Sequence, residues 1–382
     1  MADRIPGPFI GCRGERLDEV RSIAVLRGGG LGDLMFAWPA LTALAAAYPQ
    51  ARITLLGTPA HRALLERRPG PVDEVVVLPY AEGVRPGPDD PVALDAFRSA
   101  MRGRHLDLAV QLHGGGRHSN PFLLDLGARH TVGTRTPDAA DLDRTLPYVY
   151  YQHEMLRALE VVGLVGASVV DLEPRLAVIG REQEVGRSLL GTSGADHPVL
   201  VIHPGATDPR RRWPADHFAE LARRACAAGW QVTVVGDGDD RDAAARIVAA
   251  VPDSTVPAVR DGGDGAGRAF SLAGELTLPE LLGVLGSATV MVGNDSGPRH
   301  LAAAVGTATV GLYWIGNCIN AGPLGRGRHR VHLSWTTRCP VCDVDVTQVG
   351  WTAERCGHDP SFIGDIPVSA VWADVEALAS GE

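Results

Sequence analysis

The sequence predicts an α/β protein built from two doubly wound halves, and three observations carry that prediction. Short apolar runs of strand length alternate with helical segments from residue 22 to residue 313. Gly-rich turns follow several of those runs, at Arg27-Gly28-Gly29-Gly30-Leu31-Gly32-Asp33, at His113-Gly114-Gly115-Gly116 and at Gly236-Asp237-Gly238. A chain of 382 residues also exceeds what one hydrophobic core usually serves. The junction falls in the polar stretch 173–196 and divides the chain into domains 1–180 and 181–382.

In the first half, Ser22 to Leu26 reads as a strand and Leu34 to Tyr48 as a helix. Strands follow at Ile53 to Leu56, Val72 to Leu78 and Asp107 to Leu112, separated by helices at Pro59 to Arg67 and Val92 to Arg102. Arg144 to Pro147 reads as loop, and Tyr150 to Val162 as an amphipathic helix. The stretch 173–196 carries a charged helix and a Gly-Thr-Ser-Gly loop. The second half repeats the alternation, with strands at Pro198 to Ile202 and Gln231 to Val235, a helix from Asp216 to Ala228, a helix from Leu278 to Leu285, and a final strand at Ala308 to Tyr313. Short connections between strands and helices mean parallel sheets covered on both faces. Ligands of such sheets bind at the carboxyl ends of the strands, so the gap between the two domains is the expected site.

Composition excludes several classes. Net charge is -9, which argues against a nucleic-acid binder, since phosphate neutralisation needs a basic surface. All 36 basic residues are arginine, so a lysine-dependent phosphate loop is excluded and any anion must be held by guanidinium groups or backbone amides. No apolar run reaches the roughly 18 residues of a membrane span. The charged, proline-containing stretch Met1 to Arg13 lacks the apolar centre of a signal peptide, which predicts a cytoplasmic protein.

The turn with the most chemistry is Asn294-Asp295-Ser296-Gly297-Pro298, between the apolar run Val290 to Val292 and a small-residue helix that carries His300. Asp295 or Ser296 can cap that helix, Gly297 allows close approach to the backbone, and Pro298 sits where a first-turn N–H has no partner to lose. The unpaired amides of a helix N-terminus make such a turn an anion site. A capped turn without a ligand is the plainer reading. The turn at Gly28 fails the dinucleotide fingerprint, because G-x-G-x-x-G requires glycine where Asp33 stands. Asp33 reads either as a helix cap or as a general base on a rigid glycine turn. Cys339-Pro340-Val341-Cys342 and Cys356-Gly357-His358 have the ligand types and roughly the spacing of a zinc site, beside the plainer reading of a thiol-bearing loop. The other cysteines are Cys12, Cys226 and Cys318.

Taken together, Leu26 to Leu34, Trp38-Pro39-Ala40-Leu41, His203-Pro204-Gly205-Ala206, Arg211-Arg212-Trp213-Pro214 and the segment from Val292 to Leu312 resemble the family 9 glycosyltransferases, typified by ADP-heptose heptosyltransferases. The blocks lie in both halves and span nearly the whole chain. The resemblance implies a GT-B architecture of two facing Rossmann-like domains with an interdomain cleft, the acceptor on the first domain and the nucleotide sugar on the second, with the last helix expected to pack back on the first domain. It implies an inverting transfer that needs no metal or other cofactor.

Asp33 falls on the family's catalytic base, in a loop whose Gly29, Gly30 and Gly32 line the cleft. Thr207, Arg211, Asp295, Ser296, Gly297 and His300 fall on donor-binding positions. Arg211 stands where the family usually has lysine. Arg27, His113 and Arg117 are candidates for the acceptor side.

The function expected is transfer of a sugar, heptose from ADP-heptose, to a hydroxyl of a glycan, glycolipid or small metabolite. The chain is expected to act as a monomer with no more than peripheral contact with the inner face of the membrane. Alternatives are a transferase of another hexose or a nucleotide-sugar epimerase on the same fold, and a non-catalytic sugar-nucleotide-binding protein.

Overall fold

A computed structural model describes residues 10–192, 197–252, 267–325, 327–347 and 354–381. Residues 1–9 of the expected leaderless N-terminus, and Ser193 and Gly194 of the expected Gly-Thr-Ser-Gly loop, lie outside the described residues. The chain forms two compact units, one ending at Pro174 and the other beginning at Arg175.

The first unit contains β1 (Ser22–Leu26), α1 (Leu31–Ala47), β2 (Arg52–Gly57), α2 (Pro59–Leu65), β3 (Glu74–Val77), α3 (Pro91–Arg102), β4 (Leu108–Gln111), α4 (Ser119–Leu124), β5 (His130–Arg135), β6 (Arg144–Pro147) and α5 (Glu154–Gly163). Its six strands are parallel in the order β3-β2-β1-β4-β5-β6. The central strands β1 and β4 are apolar and almost wholly buried, as strands covered on both faces must be. Helix α1 is apolar on every side from Leu34 to Leu41 and is correspondingly buried.

The second unit contains α6 (Gly180–Leu190), β7 (Val199–His203), α7 (Ala215–Ala227), β8 (Gln231–Val234), α8 (Arg241–Ala249), β9 (Ala269–Ser271), α9 (Leu278–Gly286), β10 (Val290–Asn294), α10 (Gly297–Ala304), β11 (Ala308–Trp314), α11 (Ile315–Ala321), β12 (His329–Ser334) and α12 (Val368–Ser380). The strand order β12-β11-β10-β7-β8-β9, again all parallel, repeats the first sheet's topology. Helices α6 and α9 touch backbone to backbone: a Cβ on Gly186 would stand 2.1 Å from the Gly283 carbonyl, so both glycines are needed for the approach.

Two expectations are corrected. Arg144–Pro147 is a strand, the edge strand β6, and Ala308–Trp314 is not the last strand, since β12 lies beyond it. Both β6 and β12 are edges that carry polar residues, Arg144 and Thr145 in one and His329, Arg330 and His332 in the other, so neither has an apolar run to betray it. Val371 and Val375 of α12 are fully buried in the second unit's core, against α7, β10 and β11.

Each sheet reverses its strand order once, between β1 and β4 in the first unit and between β7 and β10 in the second. At such a switch point the loops that leave adjacent strands run to opposite faces and open a crevice at the strands' carboxyl ends. The loops after β1, β4, β7 and β10 hold most of the residues singled out from the sequence.

Candidate active site

At the first switch point, Arg27 leaves the end of β1 with its guanidinium buried. Its Nε donates to the Asp33 carbonyl at 3.0 Å, NH1 to the Leu112 carbonyl at 2.5 Å, and NH2 to Asp33 Oδ1 at 2.7 Å. NH2 also lies 3.6 Å from Glu154 at the start of α5. Arg27 is therefore a strut between β1, the turn after β4 and the first turn of α1. Helix α1 begins at Leu31, three residues earlier than expected, with Gly30 as its N-cap residue and Asp33 in the first turn. The Gly30 amide donates to Asp33 Oδ2 at 2.8 Å. Asp33 thus serves the helix terminus and keeps a side chain that is 44% exposed.

The glycines make this arrangement sterically possible. Gly29 has φ 84°, and a Cβ there would stand 2.4 Å from Asp33 Oδ2. A Cβ on Gly30 would lie 3.8 Å from the same oxygen, ordinary contact, and Gly32 is half-buried inside α1. Two histidines hold the turn from behind. Gly28 N donates to His113 Nδ1 at 3.2 Å, and His113 Nε2 faces the Gly83 carbonyl at 3.1 Å. His61 Nε2 faces the Gly30 carbonyl at 3.0 Å, while its Nδ1 accepts from Thr58 N at 3.3 Å. Both rings therefore carry their proton on Nε2 and are neutral. Burial pushes both pKa values below the ordinary imidazole value, and the Arg27 charge adds to this.

Arg117, by contrast, has a side chain 71% exposed and pairs with Asp138 at 3.6 Å. Glu154 and Arg157 were not singled out from the sequence. Arg157 pairs with Glu154 and stacks over Tyr148 at 4.4 Å, and with Arg27, Phe36 and Gly114 the pair lines a shallow recess. An acidic residue opening a helix after a His is the signal that could have found it.

At the second switch point, Asn294 at the end of β10 is fully buried and stitches the loops together. Its Nδ2 donates to the Pro204 carbonyl at 2.7 Å, and its Oδ1 accepts from Trp213 N at 3.0 Å. Asp295 lies in a buried cluster: Arg211 NH1 at 3.0 Å and Asn317 Nδ2 at 2.6 Å reach Oδ2, and His300 Nε2 at 2.9 Å reaches Oδ1. Arg299 NH2 donates to His300 Nδ1 at 2.6 Å, which leaves Nε2 to carry the proton toward Asp295. Burial alone would raise the Asp295 pKa, but the His300 hydrogen bond and the charges of Arg211 and Arg299 hold it well below the carboxylate range.

Ser296 occupies the N-cap position of α10, yet neither it nor Asp295 caps the helix. The Ser296 hydroxyl lies 2.9 Å from His203 Nδ1, whose Nε2 faces Asp240 at 3.4 Å, so the hydroxyl donates to His203. Asp295 is held by Arg211, His300 and Asn317. The expected cap is thus replaced by two side-chain networks, and the first-turn amides of Gly297 and Arg299 have no side-chain acceptor from the cap residue. Thr207 is exposed, and His300, 6% exposed, is enclosed and acts on Asp295. The sequence did not single out Arg299, Asn317 or Asp240; each lies far along the chain from its partners or behind a motif residue.

The four candidate metal ligands are brought together as well. The ligand atoms of Cys339, Cys342, Cys356 and His358 all lie within 4.8 Å of one another. No helix among the described residues is long and apolar enough to cross a membrane.

The family model described as Glycosyltransferase family 9 (heptosyltransferase) matches residues 96–345. The chain is 28% identical over 377 residues to lipopolysaccharide heptosyltransferase 2 of Salmonella typhimurium, covering 94% of this chain and 99% of that protein. It is 27% identical over 306 residues to lipopolysaccharide heptosyltransferase 2 of Escherichia coli, covering 76% of this chain and 82% of that protein. In fold it is similar to the solved E. coli ADP-heptose lps heptosyltransferase II, with TM-score 0.68 at 22% identity over 94% of this chain and 99% of the other. Two doubly wound parallel sheets, a carboxylate on a glycine turn at one switch point, a cation-lined helix N-terminus at the other and these matches lead to one conclusion. The chain belongs to glycosyltransferase family 9 (heptosyltransferase).

Proposed function

We propose that this glycosyltransferase moves heptose from ADP-heptose to a hydroxyl of a glycan or glycolipid, with inversion at the anomeric carbon and no metal ion in the reaction. The observation that carries the reading is the Asp33 carboxylate, fixed by the Gly30 amide and Arg27 yet 44% exposed at a switch point. The acceptor hydroxyl gives its proton to Asp33 as its oxygen bonds to the anomeric carbon. On the opposite face the anomeric carbon–oxygen bond breaks, and its electron pair leaves with the β-phosphate of ADP. A base held by two hydrogen bonds loses little orientational freedom at the moment of transfer.

The leaving diphosphate gathers negative charge, which fixed positive potential must stabilise. Arg211 and the uncapped N-terminus of α10 supply it, as guanidinium and amide donors do for phosphate elsewhere. Asp295 holds Arg211 in place, and its own charge is offset by His300 and the nearby Arg299. The names of the relatives, lipopolysaccharide heptosyltransferases, support heptose as the sugar and a lipid-linked glycan as the acceptor class.

The test is a melting-temperature shift over a panel of nucleotide sugars at equal concentration, followed by ADP release with the best of them. ADP-heptose is expected to give the largest rise, since selective binding stabilises the folded chain. A larger rise with a uridine or guanosine sugar would overturn the donor assignment.

A further inference from the structure

Residues 335–367 join β12 to α12, and among the described residues of that stretch the only pairing is an isolated bridge between Arg338 and Asp345. Among the described residues, 335–347 and 354–367 form no helix or strand, and so much irregular chain is uncommon in a compact unit. Ile363 and Ile366, at the end of the stretch, enter the main core of the second unit, but around the cysteines apolar burial is slight: Cys339, Val346 and Phe362 form a small cluster with Trp314, Val344 and Cys356 against it. So small a core usually needs a covalent or metal staple. Cys339, Cys342 and Cys356 are free thiols, which leaves the metal.

The geometry fits one. Four ligand atoms at about 2.0–2.3 Å from a common centre are roughly 3.3–3.8 Å apart in a tetrahedron. The three sulfurs and the His358 ring nitrogen, all within 4.8 Å of one another, reach that spacing by small side-chain movements. The backbone is already shaped for it. Asp343 N donates to the Cys339 carbonyl at 2.9 Å, Cys339 N donates to the Val344 carbonyl at 2.9 Å, and Asp343 closes the turn with φ 60°.

We propose that Cys339, Cys342, Cys356 and His358 hold one zinc ion, and that this centre braces the turn that carries Arg211. Three thiolates and an imidazole with no open position make a structural site, and its formation releases the thiol protons to solvent. The residues between Cys356 and Ile366 grip the turn on both sides of Arg211. Phe362 N donates to the Arg210 carbonyl at 2.7 Å, and Ser361 Oγ to the Arg212 carbonyl at 2.7 Å. The Arg210 guanidinium lies 5.4 Å from the Phe362 ring centroid, and Trp213 Nε1 donates to the Ile366 carbonyl at 3.1 Å. Arg355, next to Cys356, reaches Asp208 at 3.9 Å. The brace matters to donor binding only through the reading of Arg211 given above; the metal centre does not depend on it.

Elemental analysis of the untagged full-length chain, purified under reducing conditions without chelator, is expected to return about one zinc per chain. Iron in its place would overturn the zinc assignment. Less than a tenth of an equivalent of any transition metal, with no uptake of added Co²⁺, would overturn the centre. Co²⁺-loaded protein is expected to show the thiolate charge-transfer and tetrahedral d–d bands, lost in Cys342→Ser with Cys356→Ser and kept in Cys12→Ser. If the double variant does not fold, metal stripped from the wild-type chain by a chelator gives the second measurement. Hydrogen exchange in peptides covering 208–213 and 360–366 is expected to speed up on the order of tenfold on stripping, with α1 unchanged. Unchanged exchange in both peptides would overturn the brace. Faster exchange with unaltered ADP affinity would support the centre and the brace, and count against Arg211 as a phosphate contact.

Discussion

Arg211 NH1 lies 3.0 Å from Asp295 Oδ2, a contact between residues 84 positions apart in the chain. It joins the turn after β7 to the turn after β10 across the second sheet's switch point, and it aims a guanidinium that a carboxylate already holds. A pre-ordered cation gives up less side-chain freedom on binding an anion than a free one does.

Arg211→Ala is expected to raise the donor KM by about 10- to 100-fold, the range of a lost charge-assisted hydrogen bond, with a smaller change in kcat. Arg211→Lys keeps the charge and loses only the guanidinium fork, and is expected to stay within about tenfold of wild type. Steady-state kinetics with varied donor distinguishes them. A lysine variant as weak as the alanine one would mean that fork geometry, rather than charge, carries the contact.

Asp295→Asn leaves Arg211 and His300 facing a neutral amide in a buried site. Removal of one partner of a buried charge cluster typically costs about 3–5 kcal/mol, measurable by urea unfolding. The pH dependence has a definite sign. The Asp295 carboxyl titrates near 3.8 when unfolded and well below that when folded, so the unfolded chain takes up the proton first. Its stabilisation is complete above about pH 5 and declines as the pH falls through 4 and lower. Asp295→Asn is therefore expected to flatten the acid limb of the stability profile, and an unchanged limb would assign the acid sensitivity to other carboxylates.

Asp33→Asn is expected to lower kcat by about 10²- to 10⁴-fold while the donor still raises the melting temperature as it does for wild type. Asparagine retains an oxygen for the Gly30 amide, so loss of fold is not the expected cause. Activity within a few-fold of wild type would remove Asp33 from the role of base.

Gly29→Ala and Gly30→Ala make a matched pair. At Gly29 the added Cβ meets φ 84° and stands 2.4 Å from Asp33 Oδ2, so the turn or the carboxylate must move. A cost of about 1–2 kcal/mol is expected, with a loss of activity on the order of 10²-fold, as for a reacting group displaced by about an ångström. At Gly30 the backbone is extended and the nearest contact is 3.8 Å, so activity should stay near wild type. Equal losses at both positions would mean that the turn tolerates no side chain at all, whatever happens to Asp33.

Much of this was legible in the sequence. The strand Ser22–Leu26 was read to the residue, because a strand buried on both faces is an uninterrupted apolar run. Edge strands were lost for the opposite reason: β6 and β12 each expose one flank, and their Arg, Thr and His residues carry no apolar signal. Asp33, Arg211, Asp295 and the cysteine cluster could be found because each sits in a short motif beside glycine, tryptophan or another cysteine. Glu154, Arg299, Asn317 and Asp240 could not, since each gains its role from a partner on another element.

From the order of its residues alone, the chain specifies alternating strands and helices, glycine turns at the strand ends and a cation inventory made only of arginine. These follow from backbone sterics and side-chain polarity, which act over a few neighbours. Folding decides what those neighbours cannot express: that the Ser296 hydroxyl turns to His203 and leaves the α10 terminus uncapped, that Asp295 finds its hydrogen-bond partners 5, 22 and 84 residues away, and that α12 closes the second core. Those outcomes depend on which groups lose water together when the sheets pack. That selection is made in three dimensions, where a buried charge must find its partner wherever the topology has placed it.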